Sequence, residues 1–218
     1  IPWIDPLSQP YIPSDAEYHT IVVPTVDTVR HDFLIDQLMT RGYHVMATGE
    51  TGTGKSVSIK SHRLMSGKDD TFVQQIILNF SAQTSANQTQ DIIDNKLGKR
   101  RKGVFGPSPE TRCAIFVDDA NMPMKEIYGA QPPIEILRQW MDHGGWYNRA
   151  DNTFRQIIDV QFLAAMGPPG GGRTQITQRY VRHFSVLNFV PFNATSLTRV
   201  FSTILDWSLS KGYSADIQ

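Results

Sequence analysis

One cysteine, Cys113, stands among 218 residues. No disulfide can close within the chain, and nothing suggests a secreted, cross-linked domain. Charge of one sign is not in excess: 21 basic residues meet 21 acidic ones, for a formal net charge of 0. That balance gives no electrostatic case for nucleic acid or an acidic membrane, and neither partner is expected. No apolar run approaches the ~18 residues of a membrane-spanning helix. HExxH, GxSxG and CxxC are all missing, so metal-hydrolase and esterase chemistry has no support. Internal repeats and low-complexity tracts are absent too. The first residues, Ile1-Pro2-Trp3, carry no initiator Met and no basic-then-apolar leader pattern. The expectation is therefore a piece of a longer chain. The remaining composition is ordinary for a globular protein, 40% hydrophobic and 19% charged. The length suits one large domain, or one plus part of another.

What is present is organised around Gly49-Glu50-Thr51-Gly52-Thr53-Gly54-Lys55-Ser56. The stretch matches G-x-x-x-x-G-K-[ST], the Walker A phosphate-binding loop. An apolar strand, Val45-Met46-Ala47, precedes it, and a helix over residues 56–65 is expected to follow. Glycines let successive backbone N–H groups curl around one anion, and the helix N-terminus adds partial positive charge. The candidate nucleotide-binding residues are Gly49, Thr51, Gly52, Thr53, Gly54, Lys55, Ser56 and Val57. Lys55 is suited to the β- and γ-phosphates, and the Ser56 hydroxyl to Mg²⁺.

Four more strands are expected. Gln75 to Phe80 and Cys113 to Val117 are short apolar runs, 157–166 reads as one long strand, and Val186 to Val190 closes the series. A short β-branched run, Ile21-Val22-Val23, is stopped by Pro24. Helices are placed from Thr25, from a Ser85/Gln88 capping box, from Pro132-Pro133, over 177–182, and after Pro191. Residues 1–19, with four prolines, read as an irregular arm. Lys99-Arg100-Arg101-Lys102 reads as a solvated basic loop, with an acidic partner as the other reading. A turn is placed at Gly67 and Asp69-Asp70, and a small hairpin at 146–151. Strands alternating with helices indicate a parallel sheet covered on both faces, with ligands beyond the carboxyl ends of its strands.

At such an end stand Asp118 and Asp119, a Walker B candidate. A phosphate-bound Mg²⁺ needs an oxygen ligand opposite Ser56, which Asp118 can supply. Asp119 occupies the place of a general base for an attacking water. Cys113, His183, Trp140 and Trp146 are expected to be structural. Arg173, Arg179 and Arg182 fit either surface charge or phosphate recognition, and spacing leaves both open.

Several segments together resemble the AAA+ ATPases and, within them, the dynein heavy chain motor of cilia and flagella. They include Asn79-Phe80-Ser81-Ala82-Gln83, Arg101-Lys102-Gly103-Val104-Phe105-Gly106-Pro107, Asp118-Asp119-Ala120-Asn121-Met122-Pro123, Gly129-Ala130-Gln131-Pro132-Pro133 and Met166-Gly167-Pro168-Pro169-Gly170-Gly171-Gly172-Arg173. The similarity is to the third AAA+ module of the dynein ring. It implies an α/β P-loop fold with a five-stranded parallel sheet in the order 5-1-4-3-2. It divides the chain into an arm (1–19), a large α/β subdomain (20–190) and the first helix of a small helical lid (191–218). It lays Val22, Val23 and Pro24 against adenine and assigns Arg179 and Arg182 to the nucleotide of a neighbouring module. The implied cofactors are ATP or ADP with Mg²⁺. The implied partners are neighbouring ring modules and, through the whole motor, the microtubule. The implied location is cytoplasmic, in the cytoskeleton of the axoneme.

Two positions depart from active members of that family. The second Walker B carboxylate is Asp119 where Glu is usual, and Gly167 occupies a sensor position that usually carries a polar side chain such as Asn. The expected function is thus a regulatory ATP/ADP-binding module with slow or absent hydrolysis. A competent ATPase is the alternative, and a vestigial structural segment a third reading.

Overall fold

The structure, a computed structural model, describes residues 12–61, 65 and 71–212. Its main sheet has five parallel strands: β1 (His44–Gly49), β2 (Gln74–Asn79), β5 (Cys113–Asp118), β8 (Val160–Met166) and β9 (Phe184–Phe189). Their spatial order is β2-β5-β8-β1-β9. Counted along the chain and read from the β9 edge, that is the expected 5-1-4-3-2 order. The central strands β5 and β8 are buried along almost their whole length. Helices on both faces account for their continuous apolar sequences.

Alternation along β1 splits the core in two. Met46 faces a cluster with Ile93, Ile115, Leu137, Phe162 and Tyr180, under α3 (Ala86–Lys96), α4 (Pro132–His143) and α5 (Gln178–Val181). Val45 and Ala47 face the other cluster, with Ile35, Met39, Ile59, Phe116 and Leu163, under α1 (Val26–Thr40) and α2 (Lys55–Ser61).

Local chemistry sets the helix ends. Thr25 and Thr28 form a reciprocal capping box on α1, and Ser85 and Gln88 do the same on α3. Pro132 opens α4, and Gly144 closes it at φ +70°. Asn193 caps α6 (Ala194–Leu209) by accepting from the Ser196 N–H. Of the helix expected over 56–65, α2 covers Lys55–Ser61, and 62–64 lie outside the described residues. So do the turn at Gly67 and Asp69-Asp70 and most of the N-terminal arm. In the described part of the arm the Pro13 carbonyl accepts from Trp207 Nε1 of α6.

Ile21-Val22-Val23 joins no sheet, and Pro24 and the Thr25 cap lead directly into α1. Two expectations need correction. The long strand over 157–166 is two strands, β7 (Phe154–Ile157) and β8, divided where Asp159 takes φ +57°. The basic run is not a loop but a hairpin, β3 (Gly98–Arg101) with β4 (Val104–Gly106), turned at Gly103 with φ +74°. With β7 and β6 (Gly145–Tyr147) it builds a second sheet in the order β3-β4-β7-β6. Arg100 is paired with Asp159 at 3.0 Å, and Arg155 lies over the Phe105 ring at 4.9 Å. These contacts give charged residues a reason to be in strands. The small hairpin is real, but its return strand is β7, later than expected. Trp146 on β6 is buried and donates to Asp94 at 3.0 Å, a packing role as expected.

Candidate nucleotide-binding site

The phosphate loop runs from the carboxyl end of β1 to the first turn of α2. Three of its residues, Gly49, Gly52 and Gly54, have φ of +154°, +84° and +79°. Gly49 is further constrained: a Cβ there would lie 2.2 Å from the Phe189 carbonyl oxygen of β9. Only glycine lets β1 and β9 stay paired up to the start of the loop. Within the loop, Thr53 is buried and donates to the Glu50 carbonyl at 2.9 Å.

The Lys55 ammonium donates to the carbonyls of Gly49 and Glu50 at 2.8 and 2.6 Å, and to Thr53 Oγ1 at 3.2 Å. Burial pushes its pKa below the usual lysine range, and the nearby Arg173 guanidinium adds to that, against Asp119 and Asp118. Two cations thus face one cleft, an arrangement that an anion between them relieves.

Across the loop, Ser56 Oγ donates to Asp118 Oδ1 at 2.6 Å. The other Asp118 oxygen accepts from Lys60 at 2.9 Å. Asp119 sits at φ +52°, outside strand geometry, with its carboxylate 3.4 Å from the Arg173 guanidinium. Asp is among the residues that tolerate this left-handed region. Arg173 comes from the Gly-rich loop after β8. Asn121 Nδ2 donates to the Gly167 carbonyl at 2.7 Å and so ties the end of β5 to the end of β8.

These groups line a cleft of about 270 Å³ that includes Thr51, Gly52, Gly54, Lys55, Ser56, Val57, Asp118, Asp119, Gly167 and Arg173. A phosphate-bearing ligand fits its donors: a loop of positive-φ glycines, two cations, and an Arg173 Nε buried without a hydrogen-bond partner among the described residues. Mg²⁺ fits only together with such a ligand. No cluster of three or more metal-binding side chains occurs among the described residues. Mg²⁺ characteristically takes one or two protein oxygens plus phosphate and water.

The structure therefore gathers the loop residues, Asp118 and Asp119 in one place. It does not bring Val22, Val23, Pro24, Arg179 or Arg182 into this cleft. Val23 is buried just ahead of the Thr25 cap of α1, and the Pro24 carbonyl accepts from Arg199 of α6 at 3.0 Å. Arg179 is exposed on α5, and Arg182 pairs with Asp142 of α4 at 2.7 Å. His183 contacts the same Asp142 at 3.0 Å. Cys113 is a buried core residue whose thiol is pushed up to about 12 by burial. Lys60 escaped the sequence reading, although it lies one helical turn beyond Ser56 and so on the same face. Asn121 escaped it as well; its only signal was position within the Asp118-Asp119 segment.

Sheet order, the loop after β1 and paired carboxylates after β5 define a P-loop α/β domain of the AAA+ type. The description "P-loop containing dynein motor region" matches residues 10–192. The chain is 50% identical over 206 residues to human dynein axonemal heavy chain 1, covering 94% of this chain and 5% of that protein. It is 46% identical over 202 residues to human dynein axonemal heavy chain 3, covering 93% and 5%. It is 48% identical over 194 residues to mouse dynein axonemal heavy chain 12, covering 89% and 6%. The chain belongs to the P-loop dynein motor region family, and it spans about one twentieth of the length of these relatives.

Proposed function

We propose that the chain is the third AAA+ module of an axonemal dynein ring, binding ATP or ADP with Mg²⁺ and hydrolysing ATP slowly or not at all. Lys55 and the backbone N–H groups of the loop hold the phosphates, while Ser56 and Asp118 hold the metal. Bound Mg²⁺ supplies charge neutralisation on the phosphates. Val22, Val23 and Pro24 border the adenine. Residues 20–190 form the large subdomain, 1–19 the arm laid on it, and 191–218 begin the lid. Arg179 and Arg182 serve the nucleotide of a neighbouring module. Microtubule movement belongs to the whole motor, in the axonemal cytoskeleton.

The observation that carries slow hydrolysis is the state of Asp119. A base must reach the attacking water. This carboxylate is one methylene shorter than the usual Glu and leaves the strand at φ +52°. Displacement of a reacting group by ~1 Å can cost ~10²-fold in rate. Gly167 adds no side chain to orient water. The test combines calorimetry on the chain with turnover in a ring whose other sites are disabled. Wild type binds both nucleotides, and Lys55→Ala binds neither. Unchanged affinity in that variant removes the loop from the site. Turnover at the median enzyme rate of ~10 s⁻¹ overturns the regulatory reading.

A further inference from the structure

We propose that Arg173 is the residue of this chain that tells a nucleoside triphosphate from a diphosphate, reaching back from the Gly-rich loop into the place that Gly167 leaves empty. The assignment rests on the nucleotide-binding reading of the cleft.

Its geometry has three parts. The loop folds back on itself: Gly170 and Arg173 exchange two backbone hydrogen bonds, of 2.9 and 3.0 Å. Gly170, Gly171 and Gly172 all take positive φ, which brings the chain round in a tight turn. The base of the turn is clamped, since Thr174 N–H donates to the Asn121 carbonyl at 2.9 Å and Asn121 holds Gly167. Arg173 thereby returns over the end of β8. A Cβ on Gly167 would lie 2.9 Å from Arg173 Nε and 3.0 Å from its Cδ. The guanidinium therefore occupies the volume that a side chain at 167 would use.

The donors of Arg173 are underused. One terminal nitrogen has a long, 3.4 Å contact with Asp119, and Nε is buried with no partner among the described residues. A buried, unpaired donor on a cation is costly and calls for an acceptor. The planar guanidinium fork suits two oxygens of one phosphoryl group. Arg173 lines the same cleft as Lys55, close enough for its charge to depress the lysine, and it contacts Asp119 there. Engaging a terminal phosphoryl group draws Arg173 away from Asp119. The same movement that reads the triphosphate thus frees the carboxylate.

The test is calorimetry with Mg²⁺ and either ADP or a slowly hydrolysed ATP analogue, on wild type, Arg173→Ala, Arg173→Lys and Gly167→Ala. Arg173→Ala should weaken the analogue about tenfold or more and leave ADP within about twofold, the size of one lost charge-assisted contact. Arg173→Lys keeps charge without the fork and should recover only part of the loss. Gly167→Ala keeps the Arg173 side chain but pushes it from its position, and should reproduce the selective loss. Thermal unfolding checks that each variant is folded. Equal weakening of both ligands, or no weakening in either the Arg173→Ala or the Gly167→Ala variant, overturns the assignment alone. Failure of wild type to bind either nucleotide overturns the nucleotide-binding reading and the assignment with it.

Discussion

Gly49→Ala probes how the sheet builds the phosphate loop. Gly49 is the last residue of β1 and stands in register with Phe189 of β9. An alanine methyl there would meet the Phe189 carbonyl oxygen at 2.2 Å and its carbon at 3.1 Å. Both are backbone atoms, so no side-chain rotation relieves the contact. Relief needs the two strands to part where the loop begins, and such overpacking costs about 1–3 kcal/mol. The backbone at φ +154° adds strain of roughly 1–3 kcal/mol for any residue but glycine. Together the loss is about 4 kcal/mol, a large part of the roughly 5–15 kcal/mol that holds a domain folded. At about 2–4 °C per kcal/mol for a chain of this size, Tm should fall by roughly 8–16 °C. Gly52→Ala is the internal control: it has φ +84° but nothing within 4 Å of an added Cβ. It should lose only the strain, about 1–2 kcal/mol. Thermal unfolding followed by circular dichroism measures both. If Gly49→Ala is no less stable than Gly52→Ala, the close approach of β9 does not constrain the loop and the argument fails.

Ser56→Ala removes the hydroxyl that donates to Asp118 at 2.6 Å; ADP affinity without Mg²⁺ should hold while the strengthening by Mg²⁺ disappears, and calorimetry with and without the metal shows whether it does. Replacing Arg179 and Arg182 together by Ala should leave nucleotide affinity of the chain unaltered while disturbing coupling between modules in a ring, and a large affinity loss in the chain alone would show that they act in cis. His44 accepts the Phe162 N–H through Nδ1 at 3.1 Å, so it must be neutral, and burial, aided by the charge of His183, lowers its pKa to about 4. The unfolded chain therefore binds more protons between pH 6.5 and about 4, and stability should fall through that window by up to about 3 kcal/mol. Urea unfolding at pH 7 and pH 5 should show a smaller difference in His44→Phe, and an unchanged difference would acquit His44.

The parts of this fold that could be read from sequence are those where one short stretch carries the whole signal. β5 and β8 are covered on both faces and spell themselves out as apolar runs. The capping boxes of α1 and α3 and the proline and glycine bounding α4 are complete within a few residues. The division of β7 from β8 was hidden because apolar Ile157 and Ile158 run into Val160, and the break lies in the backbone of Asp159. The β3–β4 hairpin was hidden because its charges are answered from elsewhere, Arg100 by Asp159 across 59 positions. The site divides in the same way. The loop after β1 is a contiguous motif, whereas the Ser56–Asp118 and Asp119–Arg173 contacts span 62 and 54 positions.

Electrostatics shows how a global property can conceal a local one. The whole chain is neutral, which argued against a polyanionic partner. The cleft is not neutral. Lys55 and Arg173 line it against Asp118 and Asp119, and counting Lys60, which pairs with Asp118 from outside the lining, there is one cation in excess. Lys60 and Arg173 are paired with the carboxylates, so the excess falls on Lys55, and its ammonium is held by neutral carbonyl oxygens. Those carbonyls satisfy its donors without cancelling its charge, which is why burial and Arg173 can lower its pKa. A magnesium nucleotide is a net anion and supplies what the loop lacks. The same ligand offers Arg173 a better acceptor than Asp119 at 3.4 Å, so filling the charge deficit at one end of the cleft loosens the ion pair at the other.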